Sequence, residues 1–518
     1  MKKFLCSLVA IFAIFLLVGC GGTNSDKIEI TFWHAMGQDK QKTIQKMIDS
    51  FEEKYDNVKV TQSPQGNYSS LLQKVNDNLK AGAGPVIAQT YPDHVVSYLT
   101  SNGAVVDLTD YAFDAEVGFD AQGVDTSKFV KSFWDEGYKY DDMGSLYSMP
   151  FNKSTESMYY NKTIFSKYDW FVGLLGFKQE DVYSSYEANS TNEDGTLKVG
   201  KKVYRDDFIW EPTWEQIIKI ADAYKTTTEY SAPEKDANGK DQKVARYALG
   251  YDSEDNLFIT LTQQMAALDE NKTYGERGED AYVRINPTTR KGEFTFLDSS
   301  NPYPRRAVEW YNENYKANRF ATASAFSADY CSDYFVGGRV IMTIGSTAGA
   351  SHNDPGDAFQ VGVATYPQFE AAKGNQRQVI QQGTNLTLFS QRDKEVEKYG
   401  WLFILWMTNY ENSYLWAKET SYFPSRSDVY ESTEYQDFLL GKEETADGQV
   451  IYETNLTNQT IVAGWKQSEY FFTNVVFNGT DVARSAGEGI ITSVLANTAS
   501  MDKAFADAKD ALKNYIAG

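Results

Sequence analysis

The chain is poor in the residues that most enzymes recruit. It has only three histidines, His34, His94 and His352, and none lies in a His-Glu-x-x-His metal-binding pattern. No Gly-x-Ser-x-Gly elbow, Walker loop or Cys-x-x-Cys pair occurs. The three cysteines, Cys6, Cys20 and Cys331, are too few for a disulfide framework in 518 residues. Cys331 is therefore expected as a small buried side chain. Positive charge is also scarce. Fifty Lys and Arg face 71 Asp and Glu, a formal net charge of −21, which argues against nucleic acid and against docking on anionic lipid through a basic face. It does not exclude an anionic ligand, because one buried arginine can hold an anion under a negative overall field. After residue 18 no apolar run is long enough to span a bilayer.

What is present begins at the N-terminus. Lys2 and Lys3 precede an apolar stretch over residues 4–18 that ends in Leu17-Val18-Gly19-Cys20. The run is short for a membrane span and matches the core of a signal peptide. Small residues before Cys20 suit a lipoprotein peptidase. The expectation is a signal over residues 1–19, a diacylglycerol (and palmitate) on Cys20, and a flexible tether over 20–27. Such a chain is anchored to the outer face of the cytoplasmic membrane and does not span it. An N-terminal membrane helix with a chance cysteine is the alternative.

The length favours two lobes over one core. Ile28-Glu29-Ile30-Thr31-Phe32-Trp33 alternates as a strand, and Ile44, Met47, Ile48, Phe51 and Tyr55 then share one helical face. Val58-Lys59-Val60 returns as a strand, which gives a parallel crossover. A second amphipathic helix over 68–79 leads to a buried strand at Val86-Ile87-Ala88, so an α/β fold is predicted. Further helices are expected over 213–224, 305–318 and the terminal stretch from Met501. One strongly apolar helix is expected over 394–417, and a strand over 340–344. Residues 187–200 and 229–243 are polar and turn-rich and read as surface insertions able to reshape the mouth of a cleft. Within the second, Asp236-Ala237-Asn238-Gly239-Lys240-Asp241 lacks the ligand series of a calcium loop and suits a turn.

Three motifs admit a functional role or a connector role. Gly345-Ser346-Thr347-Ala348-Gly349 follows the 340–344 strand, and a helix opening there would offer backbone N–H groups and the Ser346 hydroxyl to an anion; a tight turn explains it equally. Pro150-Phe151-Asn152-Lys153-Ser154-Thr155 reads as a polar loop entering a buried strand. Thr420-Ser421-Tyr422-Phe423-Pro424 ends a helix and begins an extended crossing.

In order along the chain, Phe32-Trp33-His34-Ala35-Met36-Gly37, Gly66-Asn67-Tyr68, Pro150 to Thr155 with Tyr159-Tyr160-Asn161-Lys162, Pro212-Thr213-Trp214-Glu215, Gly338 to Ser346, Gly383-Thr384-Asn385-Leu386 and the 420–424 segment resemble the extracellular solute-binding proteins of carbohydrate-type ABC importers. Phe-Trp-His-x-Met, Gly-Asn-Tyr and Pro-Phe-Asn-x-Ser-Thr resemble the branch of that family that binds glycerol-3-phosphate. The resemblance implies a periplasmic-binding-protein-like fold, two α/β lobes joined by three crossings around a ligand cleft. One lobe would take 28–148 and 382–420, the other 152–378 and 425–518. It also implies ligand contacts at Tyr68, Ser154, Ser346, Gly383, Tyr422 and, in Val482-Ala483-Arg484-Ser485, at Arg484. Where that branch has Tyr-Glu to hold glycerol hydroxyls, this chain has Tyr91-Pro92-Asp93; either Asp93 substitutes, or the polyol end of the ligand differs. Trp214 would supply an apolar wall or pack in the core. The function implied is a monomeric binding protein that closes on glycerol-3-phosphate, a glycerophosphodiester or, alternatively, a mono- or oligosaccharide, and delivers it to permease subunits. No reaction, cofactor or metal is implied. A surface-anchored hydrolase would need a carboxylate pair or metal cluster, and the sequence displays neither.

Overall fold

A computed structural model describes residues 27–516, except 102, 142, 236, 237, 446–448 and 453. The signal segment and Cys20 lie outside the described residues. Among those described, no helix is long and apolar enough to cross a membrane.

Ten strands form one continuous sheet: β1 (Ile28–His34), β2 (Val58–Pro64), β3 (Ile87–Thr90), β4 (Met149–Asn161), β5 (Leu249–Tyr251), β6 (Phe320–Thr322), β7 (Met342–Ser346), β8 (Val361–Ala364), β9 (Val379–Leu388) and β10 (Phe471–Phe472). The strand order is β6-β5-β7-β4-β9-β3-β1-β2, with β8 on β4 and β10 on β9. β1 runs parallel to β2 and β3, and β5 parallel to β6 and β7. These are the crossovers that the alternating strand and helix pattern demands. Their helices follow from apolar spacing: α1 (Gln38–Lys54) buries Ile44, Met47, Ile48 and Phe51, and α2 (Tyr68–Lys80) starts at an Asn67 cap that accepts from the Ser70 N–H. α3 (Pro92–Leu99) opens on proline, whose missing N–H costs nothing in a first turn.

The two long strands unite the halves. β9 pairs with β3 through Asn385–Leu388 and with β10 through Val379 and Ile380. β4 pairs with β9 over its first half and with β7 and β8 over its second. Separate apolar clusters flank the junction, one around β1, β2 and Trp401, the other around Trp214, Tyr251 and Tyr366. A third crossing passes alongside, where the Phe423 N–H donates to the Lys153 carbonyl at 2.7 Å.

Two expectations are corrected. The stretch from Pro150 to Thr155 is no loop: every residue of β4 is buried. The polar side chains of Asn152 to Thr155 are tolerated because they are paired. Lys153 forms an ion pair with Glu136, whose other oxygen accepts from Gln381 at 2.7 Å, and Asn152 accepts from Gln89 at 2.9 Å. The helix expected over 394–417 is two, α7 (Lys394–Met407) and α8 (Tyr410–Thr420), after α4 (Trp214–Tyr224), α5 (Glu254–Ala267) and α6 (Tyr303–Lys316). Asn409 caps α8 by accepting from the Asn412 N–H at 2.8 Å, so a local side-chain bond ends an otherwise apolar run. The insertions carry short hairpins, 190–191 with 197–198 and 234–235 with 241–242. The chain closes with α9 (Leu456–Lys466), α10 (Thr480–Leu495) and α11 (Met501–Ala511).

Lys153 and Glu136 are 0% and 4% exposed in their side chains. Lys153→Met leaves a carboxylate buried without its counter-charge, and urea unfolding should show a loss of about 3–5 kcal/mol. Lys153→Met with Glu136→Gln should recover part of it. An unchanged midpoint for the single variant would mean that the pair does not hold the junction.

Candidate functional site

A cavity of about 820 Å³ opens where the two halves of the sheet face each other. Its walls come from segments that leave the carboxyl ends of strands, where open α/β sheets place their ligands. β1 leads to Lys40, β2 to Tyr68, and β3 to Tyr91 and Asp93; β5 leads to Asp252, Asp255 and Asn256, and β7 ends on Ser346. β4 contributes Ser154, β9 Gly383, the third crossing Tyr422, and α10 Arg484.

Seven of the eight positions expected from sequence thus meet on one cavity: Tyr68, Asp93, Ser154, Ser346, Gly383, Tyr422 and Arg484. Trp214 does not. It is fully buried, its indole N–H donates to Gln264 at 2.9 Å, and Trp310, Phe320 and Tyr366 surround its ring. Trp214 is a core residue. The insertions also stay away: no described residue of 187–200 or 229–243 lines the cavity.

Local structure explains the positions. Tyr68 begins α2, and its hydroxyl accepts from Asn152 at 3.3 Å. Its ring meets Tyr91 edge-on at 4.8 Å. Tyr422 follows Ser421, whose φ of +65° turns the chain out of α8, and its ring stacks on Trp416 at 5.8 Å. Gly383 has φ +100°, and a Cβ there would lie 2.0 Å from the Asn152 carbonyl oxygen, so only glycine lets β9 bend against β4. The segment after β7 winds as a short 3-10 helix over Thr347–Asn353. The Ser346 hydroxyl accepts from the Ala348 N–H at 3.3 Å and donates to the Ser154 hydroxyl at 3.3 Å.

The electrostatics are mixed. Arg484 is the deep cation, and its Nε pairs with Asp255 at 2.7 Å. Burial opposes its charge, but Asp255 and Asp93 outweigh that and raise its pKa. Lys40, which the motifs did not reveal, supplies a second cation; its ammonium lies 5.3 Å from the centre of the Tyr422 ring. Carboxylates outnumber both: Asp93, Asp252, Asp255, Asp333, Asp481 and Glu488 line the walls. Burial raises the pKa of Asp481 and Glu488, pushes Asp252 up to about 7, and lowers that of His94. Among the described residues no group of His, Cys, Asp and Glu is arranged to hold a metal ion. The cavity therefore offers hydroxyls, four tyrosine rings counting Tyr330, carboxylate acceptors and two cations, which suits capture of a polar molecule. Lys40 lies beyond the end of a strand expected from sequence, whereas Asp252 and Asp255 follow β5, a three-residue strand that periodicity did not reveal.

Two α/β halves sharing long strands around a polar cleft define a solute-binding protein. Residues 46–439 match the family described as bacterial extracellular solute-binding protein, and the chain belongs to that family. It is the substrate-binding component of an ABC importer, not an enzyme, and its partners are a small-molecule ligand and permease subunits. The sn-glycerol-3-phosphate-binding periplasmic protein UgpB of Pectobacterium atrosepticum is 24% identical over 411 residues, 79% of this chain and 76% of that protein. UgpB from Mycobacterium tuberculosis in complex with glycerophosphocholine superposes with TM-score 0.63 at 17% identity, covering 96% of this chain and 98% of that one. The GacH receptor of Streptomyces glaucescens, solved unliganded and with acarbose, superposes with TM-score 0.62 at 15% identity, covering 94% and 98%.

Asp252 holds its proton more firmly folded than unfolded, where a carboxyl titrates near about 4. The unfolded chain then loses its proton first, so stability falls as pH rises from about 4 towards 7. Asp252→Asn removes that loss, and thermal melts should show it more stable than the parent above pH 7, with the gap closing towards pH 4. A gap independent of pH would contradict this.

Proposed function

We propose that this protein captures a glycerophosphodiester or glycerol-3-phosphate, the diester in preference. The observation that carries this is Arg484 on the wall of the same cavity as the Ser154 and Ser346 hydroxyls and Tyr422. A guanidinium can hold two phosphate oxygens at once, and hydroxyls and the Lys40 ammonium can serve the others. Asp93, Tyr68 and Tyr91 would take the glycerol hydroxyls. The diester is preferred because six carboxylates line the same cavity: a diester brings about one negative charge, a monoester nearer two. A relative's name and another's bound glycerophosphocholine point the same way.

The two lobes would be 28–148 with 382–420 and 152–378 with 425–518, hinged at the crossings, so that the ligand selects a closed form that the permease recognises. Tethering through lipid on Cys20 would keep the monomer at the outer face of the cytoplasmic membrane, where delivery is a two-dimensional search. A second reading has its own support. Carboxylates and tyrosines are also what sugar hydroxyls and sugar faces bind, so a mono- or oligosaccharide fits the acidic wall.

Calorimetric titration with glycerophosphocholine, glycerol-3-phosphate and maltose tests the assignment. The expected order is glycerophosphocholine first, with Arg484→Ala costing about 2–5 kcal/mol, a loss of roughly thirtyfold or more in Kd. Maltose binding that is indifferent to Arg484→Ala would replace the phosphate reading with the sugar one. Cys20→Ser should shift the protein from the membrane fraction to the medium; retention in the membrane would overturn the lipid anchor.

A further inference from the structure

Arg484 projects from α10, but its orientation is decided behind the cavity wall. One guanidinium nitrogen, Nη2, donates to Asn256 Oδ1 at 2.5 Å. Asn256 is 3% exposed at the start of α5, and its Nδ2 donates to Glu156 Oε1 at 3.2 Å. Glu156, on β4, is 1% exposed, and its Oε2 accepts from the Tyr251 hydroxyl at 2.5 Å. The Tyr251 hydroxyl lies 3.1 Å from that of Tyr366, where the network ends.

An asparagine amide has one acceptor end and one donor end, and the two exchange if the group turns over. Turned over, Asn256 would present N–H to the N–H of Arg484, and two donors cannot pair. Glu156 reinforces the observed orientation: when it is ionised both oxygens accept, and when it is neutral with its proton on Oε2, facing Tyr251, Oε1 still accepts from Nδ2. We infer that Glu156 is a positioning residue for Arg484, fixing the Asn256 amide so that its oxygen faces the guanidinium. The ligand-binding consequence rests on the proposed role of Arg484 as the anion contact; the positioning itself does not.

The carboxyl also senses proton concentration. Burial, reinforced by Asp255 and Asp252 and opposed by the bonds from Tyr251 and Asn256, pushes its pKa up to about 8. Tyr251, Asp252, Asp255, Asn256 and, through Tyr251, Tyr366 are the groups around it. When neutral, with its proton on Oε2, Glu156 donates to the Tyr251 hydroxyl, whose own O–H turns to donate to the Tyr366 hydroxyl, and Oε1 still accepts from Asn256. When ionised, it places a negative charge behind Asn256 that draws the guanidinium inward and repels an anion in the cleft. Affinity for an anionic ligand should therefore fall as pH rises through about 8.

The test compares Glu156→Gln with Glu156→Leu. Gln keeps an acceptor for Asn256 and a donor for Tyr251, whereas Leu keeps neither. In the ligand-free protein labelled with ¹⁵N-arginine, the Arg484 Nε–H signal, assigned by its loss in Arg484→Lys, should be unchanged in Gln and shifted or broadened in Leu. Glycerophosphocholine, whose diester does not titrate in this range, should bind about tenfold more weakly to Leu, the worth of one charge-assisted hydrogen bond, with Gln near the parent. An unaltered Arg484 signal in folded Glu156→Leu overturns the inference. If Leu does not fold, the pH titration decides. On an Asp252→Asn background, which silences the neighbouring carboxyl, the Arg484 signal should move with a midpoint near 8 and should not move once Glu156→Gln is added; movement that persists overturns the inference. If the parent binds maltose and not glycerophosphocholine, the ligand assignment fails while the spectra still decide whether Glu156 positions Arg484.

Discussion

Four consecutive polar side chains, Asn152 to Thr155, are buried in a strand that belongs to both halves of the molecule. Apart from Ser154, which borders the cavity, water cannot satisfy them, so the protein must, and the surrounding structure is arranged to do so. Gln89 and Tyr68 serve Asn152 from one half, and Glu136 with Gln381 serves Lys153. The Thr155 hydroxyl donates to the Ile380 carbonyl at 2.8 Å, and Thr347, from the other half, accepts from the Thr155 backbone N–H at 3.3 Å. Each partner ties a different segment to β4. The bond that satisfies Asn152 also fixes Tyr68 at the cavity, so burial of the crossing and placement of the walls are one constraint.

The cavity adds an electrostatic balance to that frame. Arg484 is paired with Asp255 and Asn256. Such company keeps a deep cation satisfied and places it before a ligand arrives, which lowers the ordering cost of capture. The counter-charge also sets a limit: an incoming anion competes with Asp255 for the same nitrogens, and a doubly charged one meets five further carboxylates in the walls. Lys40 relieves part of that repulsion from the facing half.

Much of the frame was legible from periodicity, since β1, α1, β2, α2 and β3 follow directly from alternation and helical spacing. The motif resemblance also placed seven residues on one cavity. What escaped did so for physical reasons. A polar run ordinarily marks a loop, and nothing local in Asn152-Lys153-Ser154-Thr155 announces partners tens of residues or more away. Apolar periodicity runs unbroken across Thr408 and Asn409 because both α7 and α8 are buried, so only the cap of Asn409 reveals the break. Trp214 sits beside a motif yet turns into the core, a direction that spacing does not encode. Lys40, Asp255 and Glu156 carry no motif; they matter through which strand ends meet.

The walls and the frame occupy different parts of the chain. Most wall residues leave from strand ends, while the pairing that holds the sheet lies within the strands. Inheritance can then alter the walls without disturbing register, and the two can drift at different rates. Solved structures that share this fold at 15–17% identity hold ligands from glycerophosphocholine to acarbose, a range that such a division of labour permits.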